Sequence, residues 1–260
     1  MNMVVLVFMS SSKHLKPNTF FDINKFPPEE GLLVFGISMN QIGNKQSAEK
    51  CFEYLRHFDS RIEKTEGIGL LMLYSDYLYL HSESPAHILR ERYKNLMFQH
   101  KHAFLNILSK NPNLIKKAFS FYTFGQMMLD NSEDILQIHT QILNLYESDS
   151  IFHECVAYDI QRSNRDSNEH NAAFILEELA LFYMIKKESF THNNSFVLKN
   201  NMWTLMCYPG KPLKSEVYLF QKNPLNLSNP KNKYENSCYD LESQTLYDYT
   251  RIDIEAFDFS

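Results

Sequence analysis

The sequence predicts an α/β protein, a single Rossmann-like domain whose mainly parallel sheet is flanked by helices. Short apolar runs without polar alternation recur along the chain, as strands buried on both faces require. Longer segments with apolar residues at helical spacing separate them. The runs "GLLVFGIS" and "TLMCYP" both end in polar or turn residues, as expected where strands reach the carboxyl edge of such a sheet. The 260 residues, 44% hydrophobic and 22% charged, suffice for one domain over 1–260 with a substantial core and exclude general disorder.

The elements follow in order. Met3 to Met9, "MVVLVFM", reads as a strand or a packed N-terminal segment. It lacks a basic flank and a clear small-residue cleavage site, which leaves a weak export signal as the lesser alternative, and it is far too short to span a bilayer. Leu32 to Ser38 is the first convincing strand. Lys45 to Lys64 places Ala48, Phe52, Leu55 and Ile62 at helical spacing. Gly67 to Asp76 is a second strand, Pro85 to Lys110 a long helix, and Ala118 to Phe124 a third strand by composition. Helices are expected at Ser132–Tyr146, Ser150–Arg162 and Asn168–Lys186, then a strand at Met202–Tyr208. From Lys222 the chain is Asn-rich, then acidic and Tyr-rich, so 222–260 reads as a tail that adds an edge strand or packs loosely.

Composition excludes several function classes. A net charge of −5 gives no global basic field, so phosphate contact needs a local patch. Among only seven glycines there is no G-x-G-x-x-G and no phosphate loop. Cys51, Cys155, Cys207 and Cys238 are scattered without C-x-x-C, which fits reduced thiols in a cytoplasm rather than a disulfide framework or zinc site. His100-Lys101-His102 sets two imidazoles off a common helix face, and no H-E-x-x-H occurs. Neither metal nor cofactor is expected.

Three short stretches carry candidate chemistry. Ser38 ends the first strand, where a serine is either a strand stop or a group held at the sheet's carboxyl edge. Glu177 and Glu178 interrupt the apolar helix "NAAFILEELALF" about 100° apart, so at most one shares the face of Phe174. That carboxylate is either an ordinary solvated charge or, against apolar neighbours, a proton carrier near neutrality. Tyr208-Pro209 ends a later strand, and a tyrosine there commonly packs with its hydroxyl in water.

Taken together, Gly36-Ile37-Ser38, Glu178-Leu179-x-x-Phe182 and Cys207-Tyr208-Pro209 resemble the tRNA-dependent cyclodipeptide synthases, in order, from about Leu32 to Leu213. In that family a Gly-[Ile/Val]-Ser strand end supplies a nucleophile, a Tyr-x-x-x-Glu pair sits on a late helix, and Tyr followed by His or Pro closes the site. Gln41 three residues past Ser38, with Tyr208-Pro209, matches the subgroup that has Tyr-Pro and no Asn at that position. Phe174 stands where the family has tyrosine, keeping the ring and losing the hydroxyl.

The resemblance implies a fold similar to the catalytic domain of class I tyrosyl and tryptophanyl aminoacyl-tRNA synthetases. It also implies ATP-independent synthesis of a diketopiperazine from two aminoacyl-tRNAs. Ser38 would hold the first aminoacyl group as an ester, with backbone amides from Gly36 to Met39 as oxyanion donors. Glu178 would bind the α-ammonium and move protons, and Tyr208 would position the aminoacyl group. A second aminoacyl-tRNA then donates its amine, and the dipeptide closes on itself. Gly36, Gln41, Phe174 and Pro209 would contact substrate, and Arg90, Arg92, Lys94 and Lys101 on the long helix would hold the tRNA. A cytoplasmic monomer without membrane contact is implied.

Two other classes remain open at this point. A serine hydrolase would want a G-x-S-x-G elbow and a late histidine, whereas Gly36-Ile37-Ser38-Met39-Asn40 lacks the second glycine and no histidine follows His192. A non-catalytic RNA-binding domain would leave Ser38 and Glu178 merely structural.

Overall fold

A computed structural model describes residues 31–62, 68–76, 86–112, 119–163, 169–187, 191–192, 196–197, 203–230 and 232–260. The apolar run Met3 to Met9 lies outside them. In chain order the elements are β1 (Gly31–Ile37), α1 (Ala48–Ile62), β2 (Ile68–Tyr74), α2 (Ala86–Ser109), β3 (Phe119–Thr123) and α3 (Phe124–Asp130). Then come α4 (Ser132–Ser148), α5 (Ser150–Arg162), α6 (Glu169–Lys187), β4 (Thr191–His192) and β5 (Phe196–Val197). The chain ends with β6 (Trp203–Tyr208), α7 (Lys214–Lys222), β7 (Ser237–Asp240), β8 (Thr245–Asp248) and a 3-10 turn, Tyr249–Arg251.

The main sheet runs β3-β2-β1-β6-β7-β8 and is parallel except for the β7–β8 pair. Its centre is apolar on both faces: Leu32, Leu33, Val34, Phe35 and Ile37 are at most 2% exposed. Gly31 lies opposite Trp203 on β6. A Cβ at Gly31 would sit 2.0 Å from the indole, so only glycine admits the ring.

The order β1-β2-β3 steps one way, and right-handed crossovers therefore put α1 and α2 on one face. The chain then returns to the other side of β1 through β6, which puts α6 and α7 on the opposite face. The packing agrees, with α1 against α2 and α5 against both α6 and α7. The direction in which strands are added reverses between the parallel neighbours β1 and β6, and a crevice opens there beyond the strands' carboxyl ends. Ser38 and Pro209 directly follow those two strands.

Two differences from the sequence expectations have identifiable causes, and the tail takes the edge-strand alternative. Phe124 starts α3 rather than ending β3, because the Thr123 side chain accepts from Gln126 N at 3.1 Å. Thr-x-x-Gln is a capping-box pattern, so this signal was present in the sequence. Helix α7 has no cap of its own; Asp159 accepts from Lys214 N (2.8 Å), Ser215 N (2.8 Å) and Ser215 Oγ (2.6 Å). The tail joins the main sheet as β7 and the antiparallel edge β8, and Phe257 and Phe259 pack edge to face with centroids 4.6 Å apart. Among the described residues no helix is long and apolar enough to cross a membrane.

Candidate active site

The turn after β1 is held from two sides. Ser75, at the end of β2, donates to Ile37 O through its amide (2.9 Å) and its hydroxyl (3.1 Å). Ser38 N donates to Gln46 Oε1 at 2.7 Å, and Gln46 Nε2 donates back to Gly36 O. Ser38 O accepts from Gln41 N at 2.9 Å. The Ser38 amide is therefore committed to Gln46, which removes it from the oxyanion donors expected over Gly36 to Met39.

A cavity of about 340 Å³ opens at this turn. Gly36, Ser38 and Gln41 line it from the β1 end, Glu178 and Phe182 from α6, and Tyr208 and Pro209 from the β6 end. Three stretches far apart in sequence thus meet at the crevice. Glu177 faces elsewhere, into a separate cavity of about 260 Å³ between α4 and α6 with His139 and Leu136. The 100° step along the helix separates the two carboxylates. Phe174 is buried at 7% exposure and is not among the residues that line the Ser38 cavity, a correction to its expected place beside Glu178. Gln41 Oε1 is buried with no hydrogen-bond partner among the described residues and so offers an acceptor at the cavity wall.

Tyr208 presents its ring rather than its hydroxyl. The ring stacks on Phe182 with centroids 6.0 Å apart and planes 8° from parallel, while Oη donates to Glu216 Oε2 at 2.7 Å. Glu216 is fully buried and pairs with fully buried Lys186 at 2.9 Å; Lys186 Nζ also donates to Tyr249 Oη at 2.7 Å. Removing one member of a buried pair strands the other charge without solvent. Lys186→Met is therefore expected to cost about 3–5 kcal/mol of unfolding free energy, read by chemical denaturation. An unchanged denaturation midpoint would show that Glu216 finds another partner or a proton.

The wall that follows Tyr208 is pinned by distant residues that carry no local sequence signal. Gly210 adopts φ +117°, a region that favours glycine, and its amide donates to Asp240 Oδ1 on β7 at 2.7 Å. Lys211 pairs with Asp258 at 2.9 Å, and Arg162 Nη1 donates to Pro212 O at 3.2 Å. Asp159, whose carboxyl burial pushes up to about 6, lines the same cavity.

The basic residues of α2 divide. Arg90, Lys94 and Lys101 fall on one stripe at spacings of four and seven, and Arg92 is off it. Arg90 and Lys94 are exposed and line a groove toward β3 and α3, with Asp76 on its floor. Lys101 lies over the rings of Tyr74 (5.4 Å) and Phe121 (5.6 Å), and burial lowers its pKa. The four expected cations thus do not form one open patch. Among the described residues no cluster of three or more His, Cys, Asp or Glu side chains is placed to hold a metal ion.

Fold and cleft define a doubly wound α/β protein with a serine, a carboxylate and an aromatic wall at the topological switch point. Solved structures similar to it include cyclodipeptide synthases (CDPS). A CDPS from Staphylococcus haemolyticus superimposes with a TM-score of 0.52 at 16% identity, over 84% of this chain and 93% of that chain. A CDPS from Fluoribacter dumoffii gives 0.53 at 14% identity, over 82% and 92%. The chain therefore has the fold that these synthases have. No protein-family model and no curated protein matches it.

Proposed function

We propose that this chain is a cyclodipeptide synthase that joins two aminoacyl groups, taken from aminoacyl-tRNAs, into a 2,5-diketopiperazine. The observation that carries this reading is the meeting of Ser38, Glu178 and Tyr208 around one cavity in the fold shared with the two neighbours. Ser38 Oγ attacks the aminoacyl ester carbonyl; the bond to the tRNA ribose breaks, the ribose hydroxyl takes the proton, and the residue stays as a seryl ester. The ester is already activated, so the step draws no free energy from ATP. Glu178 binds the α-ammonium and takes its proton as the amine becomes a nucleophile. The amine of a second aminoacyl-tRNA attacks the seryl ester, and Ser38 Oγ leaves and regains a proton. The first residue's free amine then attacks the ester to the second tRNA, closing the ring as that ribose hydroxyl leaves with the proton. The Tyr208 ring, fixed by Glu216, shapes the wall. The reaction belongs where aminoacyl-tRNA is made, in the cytoplasm.

Incubation with radiolabelled aminoacyl-tRNA tests the reading. Label should remain on the denatured protein, on the peptide that contains Ser38. A tRNA gel shift without retained label would make the chain a binder instead.

The groove of α2 is the proposed tRNA contact. Arg90→Glu with Lys94→Glu should weaken use of aminoacyl-tRNA and flatten its salt dependence, with little change in melting temperature, because exposed charges contribute little to folding. Arg92→Glu should be milder, and Lys101→Glu should cost stability because Lys101 packs on two rings. Equal effects of all four on tRNA use, with no loss of stability, would restore a single open patch.

A further inference from the structure

We propose that Gln46 and His100 are positioning residues that set the nucleophile turn from behind and tie Ser38 to the tRNA-contacting helix, an inference that rests on the function proposed above. Gln46 is 2% exposed and bridges the turn, accepting from Ser38 N at 2.7 Å and donating to Gly36 O. With Ser75 gripping Ile37 O and Gln41 N donating to Ser38 O at 2.9 Å, the peptides on both sides of Ser38 have fixed planes, which sets the direction of its Cα–Cβ bond.

Gln46 is itself held. Its carbonyl accepts from His100 Nε2 at 3.0 Å. A carbonyl only accepts, so Nε2 carries the imidazole proton and Nδ1 must accept in turn. Tyr74 Oη meets that need at 2.8 Å. His100 is 4% exposed, and burial lowers its pKa, which favours this neutral form. The relay Tyr74–His100–Gln46–Ser38 therefore has one consistent direction of donation up to Gln46.

The relay also joins two functions on one helix. His100 and Lys101 are neighbours on α2, and Tyr74 receives both: its hydroxyl donates to His100, and its ring lies under the Lys101 ammonium. Any tilt of α2 must move the Gln46 carbonyl, and with it the peptide that carries Ser38. Misplacement of a reacting atom by about 1 Å costs on the order of a hundred-fold in rate.

Single-turnover acylation of the full chain by a radiolabelled aminoacyl-tRNA mixture tests the relay, with melting temperature measured alongside. Gln46→Met keeps the side-chain volume and removes both side-chain hydrogen bonds; His100→Phe keeps the ring and removes the donor. Both should acylate about a hundred-fold more slowly while folded, at an unchanged half-saturating tRNA concentration. His100→Gln, which places an N–H near the Nε2 position, should recover most of the rate. Should His100→Phe fail to fold, Gln46→Met carries the test alone, since it leaves the main-chain bond to His100 intact. Wild-type acylation rates in folded variants overturn the relay, as does a rate loss that only tracks loss of folded protein. An unlabelled wild-type chain instead overturns the proposed function and the relay with it.

Discussion

Ser38→Ala should abolish both the covalent aminoacyl label and the cyclic product, a loss on the order of 10³-fold or more. The fold should survive, because the bonds that hold the turn, Ser38 N to Gln46 and Gln41 N to Ser38 O, are main-chain groups that alanine keeps. Label and melting temperature therefore separate the chemical role from a structural one. A fully labelled alanine variant would move the nucleophile to another serine of the cavity, Ser75 or Ser163. Cys207 is no substitute: it is fully buried, and burial pushes its thiol well up from the ordinary range.

Glu178→Gln should remove product formation by about 10²–10⁴-fold, the usual contribution of a positioned proton carrier. Glu177→Gln should be mild, because Glu177 faces the cavity between α4 and α6. The pair is a paired control: same helix, same chemistry, different cavities. If Glu177→Gln proves the damaging change, the second cavity holds the chemistry. Phe174→Tyr, at a buried position outside the Ser38 cavity, should give no activation and should cost stability, since its hydroxyl would need a buried partner.

How much of this was legible in the sequence depended on the range of the signal. The buried parallel strands β1, β2 and β6 announce themselves as continuous apolar runs, and their order puts Ser38 and Tyr208 at one edge. The choice of Glu178 over Glu177 follows from the resemblance, while helix geometry requires only that the two carboxylates face different ways. Helix α3 was missed although Thr123-x-x-Gln126 marks its start, because aromatic composition read as strand through Phe124. Helix α7 was missed for a different reason: its cap is Asp159, 55 residues from Lys214, and no window along the chain contains both. Strands β7 and β8, four residues each, arise by pairing, β7 on β6 and β8 on β7, rather than as apolar runs of their own. Gln46 and His100 look like ordinary polar residues until tertiary folding brings them behind Ser38.

Synthesis of a cyclic dipeptide from aminoacyl-tRNA is read by mass spectrometry of a reaction without ATP. The purified chain is incubated with total tRNA charged with the proteinogenic amino acids, and small products are compared with a Ser38→Ala control. The expected result is a diketopiperazine whose mass is that of two amino acids less two waters, present with the wild-type chain and absent with the control. Free amino acids as the sole wild-type product would make the chain a hydrolase, and intact aminoacyl-tRNA would leave it a binder; either contradicts the synthase.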